Sequence, residues 1–155
     1  MKILQYFSLL RATLKGIALL SLVAFLFGIS SCDKGPTPEE EFLKKISKNW
    51  KSSSTGVQLD GKDVNVVFSG FTLTFTTGAT YTSTNGNPPI WTATGKLSLK
   101  STSNAAGFNI IRDDGVVVMV EQITDVKLVL KFPYASKGAR AGSVSGSYVF
   151  DLVVK

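Results

Sequence analysis

From Trp50 onward apolar and polar residues alternate with a period of two. Phe71-Thr-Leu-Thr-Phe75-Thr-Thr meets Gly78, and Ala79-Thr-Tyr81-Thr-Ser-Thr84 resumes the alternation, which predicts two strands joined by a tight turn. Thr84-Asn-Gly-Asn-Pro-Pro89 reads as a loop. Trp91, Ala93, Gly95, Leu97 and Leu99 then share one face, opposite Thr92, Thr94, Lys96, Ser98 and Lys100, the pattern of a half-buried antiparallel strand. Residues 108–111 and 116–120 flank Asp113-Asp114-Gly115, whose Asp-Gly pair supplies the positive φ of a hairpin turn. Val126, Leu128, Leu130 and Phe132 alternate with outward Lys127 and Lys131. The last segment, 144–154, places Val144, Gly146, Tyr148, Phe150, Leu152 and Val154 inward. A weaker pattern at 51–59 and a short apolar run at 64–68 bring the count to about eight strands.

An antiparallel sheet of that size loses its aggregation-prone edges by closing on itself. The expected fold is therefore all-β, a small antiparallel up-and-down β-barrel, with a two-sheet β-sandwich as the alternative. An eight-stranded barrel has an interior that side chains can fill or that can hold one small ligand. One short helix precedes it. In Thr37-Pro38-Glu39-Glu40, Thr37 is the N-cap, Pro38 takes the first helical position where its missing N–H costs nothing, and Glu40 closes a capping box. Phe42, Leu43, Ile46 and Trp50 fall near helical spacing for one apolar face. The helix could plug one end of the barrel or pack outside it.

The alternation is absent from the first part of the chain, where residues 16–31 form an uncharged run behind Lys2, Arg11 and Lys15. That is the layout of a secretory signal. It is short of the roughly 20 apolar residues of a membrane span, and extending it backwards would bury Arg11 and Lys15. Its end, Ile29-Ser30-Ser31-Cys32, resembles the lipobox of bacterial lipoproteins, in which the cysteine is acylated and becomes the first residue of the mature protein. The resulting division is a signal peptide over 1–31, a lipidated Cys32 with a Pro-containing tether over 32–37, and a barrel domain over 38–155. Removing the signal deletes three basic residues and no acidic ones, so the formal charge falls from +6 to +3. The basic balance thus belongs largely to the signal and does not argue for nucleic acid. The one cysteine is used by lipid, so an exported domain must be held without disulfides.

The Lys48-Asn-Trp50-Lys entry, the threonine-rich hairpin F-T-L-T-F-T-T-G-A-T-Y-T, the Trp91-Thr-Ala-Thr-Gly95 strand, the Ile110-Ile-Arg-Asp-Asp-Gly115 turn and the closing Gly146-Ser-Tyr-Val-Phe150 strand resemble the small lipocalin-like lipoproteins of Bacteroidetes-type bacteria. The resemblance covers most of residues 38–155. It implies a barrel that carries or senses a small apolar molecule; for the lipid anchor, the outer membrane is the expected location.

The chemical inventory excludes most catalysis. Without histidine, and with its only cysteine acylated, the chain can build neither Ser-His-Asp nor Cys-His nucleophiles, nor the His and Cys sites that zinc prefers. Glu121, Asp125 and Asp151 are the carboxylates in or beside strands that a glycosidase-type pair could use, and Asp113-Asp114 falls short of the six to eight oxygens of a calcium site. No enzyme, metal or cofactor is expected. The candidate pocket or mouth consists of Trp50, Tyr81 and Trp91 with Tyr134, Lys137 and Arg140 of the loop 133–142. The expected partners are the lipid bilayer, through Cys32, and a small apolar or amphipathic ligand. The rival reading is a solidly packed surface or periplasmic module that meets a protein or glycan through its loops.

Overall fold

The computed structural model describes residues 35–135 and 145–155. All but Gly35 belong to the unit Pro36–Lys155, whose described residues hold one helix, α1 (Pro38–Ile46), and nine strands: β1 (Asn49–Leu59), β2 (Lys62–Asp63), β3 (Thr72–Phe75), β4 (Thr80–Thr84), β5 (Thr94–Ser101), β6 (Phe108–Arg112), β7 (Val117–Ile123), β8 (Lys127–Tyr134) and β9 (Gly146–Val154). β1 and β3 to β9 pair antiparallel in sequence order, and β9 returns to β1, so eight strands close into a barrel. The up-and-down order matches a lipocalin-like barrel, and closure decides against the sandwich. β2 is a two-residue side ladder on the end of β1, pairing Gln58 with Asp63 and Leu59 with Lys62.

Closure is made by Trp50↔Val154 to Ser52↔Leu152 and by Val57↔Phe150 to Leu59↔Tyr148, with a register shift between. The bulge depends on Gly56, at φ 59°, because a Cβ there would lie 1.6 Å from Asn65 Oδ1. That oxygen accepts the Val57 N–H at 2.6 Å. A backbone in the left-handed region beside a packed side chain leaves room only for glycine.

Two ends can be told apart. Strands β1, β6 and β8 start at the end where α1 sits, and here called the helix end; the connections 60–71, 85–93 and 113–116 lie at the opposite, loop end. α1 begins with the expected capping box, the Thr37 N–H donating to Glu40 Oε2 at 2.8 Å and Glu40 N–H to Thr37 Oγ1 at 3.2 Å. It closes the helix end from Phe42, whose ring lies 5.2 Å from that of Phe108, and from Ile46, which is fully buried.

Four expectations are corrected. Trp50 is not on the helix; it is the second residue of β1, buried, with its indole N–H donated to Ile46 O at 2.8 Å. Residues 64–68 form no strand but successive turns, Val67 N–H to Val64 O and Phe68 N–H to Asn65 O, that drop Phe68 into the core and leave Val66 and Val67 outside. β5 begins at Thr94, so Trp91 enters the core from a loop, and Ala93 is exposed. Val126 likewise precedes β8 in an exposed turn, and Val144 lies outside the described residues.

Candidate functional site

The candidate residues divide between the two ends. Trp50 belongs to the helix end, where Lys48 Nζ stands 5.9 Å from its ring and pairs with Asp125 at 3.3 Å. Tyr81 and Trp91 are brought together, ring to ring at 5.3 Å and edge-on. Tyr81 lies flat across Gly95, its partner in β5, where a Cβ would stand 2.5 Å from the phenol oxygen. Its hydroxyl meets Thr92 Oγ1 at 2.6 Å. Tyr134 ends β8 at the rim of the loop end, half-buried. Lys137, Arg140 and Cys32 lie outside the described residues.

Trp91 is the hub of the interior. Its ring lies 5.7 Å from Phe132, 6.0 Å from Phe150 and 6.5 Å from Phe71. Phe150 in turn stacks on Phe132 at 5.7 Å and takes the edge of Phe68 at 5.2 Å. Six aromatic side chains, Trp91, Phe132, Phe150, Phe71, Phe68 and Tyr81, pack together in the interior, each at most 2 % exposed.

Arg112 is the residue that sequence reasoning missed. Alternation along β6 aims Phe108, Ile110 and Arg112 inward, so an arginine stands where apolar residues are expected, 2 % exposed. Its guanidinium carbon lies 4.8 Å from the Trp91 ring, a cation–π contact. One terminal nitrogen donates to Ile90 O; the other donates to Asp114 Oδ2 at 2.5 Å and reaches Pro89 O at 3.5 Å. Arg112 therefore straps the loop that carries Trp91 onto the barrel. Among the described residues, Arg112 Nε and Trp91 Nε1 are buried donors without an acceptor.

The carboxylates are dispersed. Glu121 faces Lys131 at 3.4 Å, Asp125 faces Lys48, and Asp151 faces Lys127 at 3.1 Å while accepting the Thr55 hydroxyl. Each is neutralised by a different lysine. Asp113 accepts the Lys96 N–H and Asp114 the Val116 N–H, so both serve the hairpin turn. Among the described residues no group of three metal-ligating side chains converges, and no helix is long and apolar enough to cross a membrane. Outside the barrel, an open groove of about 530 Å³ runs along α1 between Pro36, Glu40, Glu41, Leu43, Lys44 and Thr77.

No protein-family model matches the chain, and neither a curated protein nor a solved structure shows significant similarity to it.

Proposed function

We propose that the mature protein is a lipid-anchored, non-catalytic barrel of the cell envelope, held to the outer membrane through Cys32, that works as a packed interaction module and meets its partner through loops. The observation that carries this reading is the aromatic interior: Trp91, Phe132, Phe150, Phe71, Phe68 and Tyr81 pack together inside the barrel, where a small-molecule carrier would need a cavity of roughly 300 Å³ or more. The signal run and its Ser-Ser-Cys32 ending support the anchor. The absence of histidine from the sequence and the separate lysine partners of Glu121, Asp125 and Asp151 support a role without catalysis.

The carrier reading keeps one observation in its favour. Trp91 Nε1 and Arg112 Nε are buried donors that an acceptor on an amphipathic guest would satisfy. Titration with an environment-sensitive apolar dye separates the two. The packed module gives no saturable fluorescence increase, whereas saturable binding at low micromolar dye, displaced by a fatty acid, would establish the carrier instead.

A further inference from the structure

We propose that the helix end of the barrel is the surface laid against the lipid headgroups, so that the loop end projects away from the bilayer. This rests on the lipid anchor proposed above. The chain enters the barrel domain at the helix end, through Pro36 and the N-cap Thr37. From Cys32 to Pro36 is four residues, which even fully extended reach at most about 14 Å. An acylated Cys32 therefore holds the start of α1 within that distance of the interface. The loop end is farther away by the height of the wall: the eight residues of β8 extend roughly 26 Å along the strand, or about 20 Å of barrel height at a 40° tilt.

The surface of the helix end suits that neighbour. Val126 is 67 % exposed in the β7–β8 turn, and the groove beside α1 has Pro36 and Leu43 in its walls. Lys44 at the same groove can lay its methylene stem on apolar surface while its ammonium reaches a phosphate oxygen. Because α1 carries Glu39, Glu40 and Glu41 as well as Lys44 and Lys45, the two signs offset one another. The contact is set by the tether rather than by net charge, and salt does not release it. At the opposite end Val66, 91 % exposed, points to the compartment from which a partner arrives.

The chain's one cysteine is the proposed acyl site, so a second cysteine introduced into the lipidated protein is its only free thiol. Ala105→Cys and Val126→Cys place a fluorophore at exposed turns of the helix end, and Lys62→Cys and Val66→Cys at the loop end. With full-length lipidated protein in phosphatidylethanolamine–phosphatidylglycerol vesicles, lipids quencher-labelled at the headgroup should remove most of the emission at 105 and 126 and little at 62 and 66, unchanged in high salt. Equal quenching at both ends, as for a barrel lying on its side, or stronger quenching at 62 and 66, would overturn the orientation while leaving the anchor intact. Protein that fails to float with the vesicles would overturn the anchor, and the orientation with it.

Discussion

Replacing Trp91 by alanine tests the packed interior where it is densest. Trp91 is fully buried and touches Phe71, Tyr81, Phe132 and Phe150, with the Arg112 cation over its face. Loss of a buried tryptophan costs about 3 to 5 kcal/mol in transfer and cavity terms together. The lost cation–π contact adds roughly 1 kcal/mol, and removing an indole N–H that has no acceptor returns about 1 to 2. Because the residue comes from a loop, part of the void can collapse, so the net expectation is about 3 kcal/mol. With a urea slope of roughly 1.5 kcal/mol/M, that lowers the unfolding midpoint by about 2 M. The exposed Thr82→Ala, on the outer face of β4, should move it by less than about 0.5 kcal/mol. The variant should also gain what the parent lacks, a void of indole shape between the neighbouring rings and the Arg112 guanidinium, so that added indole raises its midpoint and not the parent's. Equal midpoints for Trp91→Ala and Thr82→Ala, or a parent protein stabilised by indole as much as the variant, would refute the reasoning.

Cys32→Ala should abolish incorporation of a palmitate analogue during growth, read by gel fluorescence after click labelling; label retained by the variant would remove the anchor. Arg112→Met leaves Ile90 O without its buried donor and should cost roughly 2 to 4 kcal/mol in urea unfolding, whereas Asp114→Asn, whose side chain is 38 % exposed and keeps an oxygen that can accept from the buried guanidinium, should cost less, about 1 to 2 kcal/mol. Hydrogen exchange should rise at 85–93 in the first variant. Gly56→Ala combines a left-handed backbone with displacement of Asn65 from the Val57 N–H and should cost about 3 kcal/mol, against about 1 for Gly61→Ala, where φ is 77° but no atom lies within 4 Å. Similar thermal midpoints for the two would contradict the bulge as described.

The strands were legible where alternation was strict. The Phe71, Leu73, Phe75 and Tyr81 face and the Leu128, Leu130, Phe132 face are buried as their period requires, and Asp114-Gly115 forms its turn with Gly115 at φ 83°. The failures share one cause: what covers a barrel's ends is decided by tertiary fit and leaves no period. Residues 64–68 are too short a run to separate a strand from a turn that inserts one phenylalanine. Trp91 continues the alternation of β5 on paper, but the loop from Asn85 has already bent away, with Asn85 and Asn87 both at positive φ. Arg112 was visible as an inward position of β6 and was obscured by its adjacency to the Asp-Asp-Gly turn. Of the candidate mouth, Tyr81 and Trp91 meet, while Trp50 belongs to the other end.

The most direct test of the filled barrel is native mass spectrometry of the full-length mature protein purified, with its lipid, from the envelope that makes it. The packed module requires one mass, that of the acylated polypeptide, unchanged as collisional activation is raised. An additional noncovalent mass of a few hundred daltons, shed on activation and recovered as one small molecule, would contradict it.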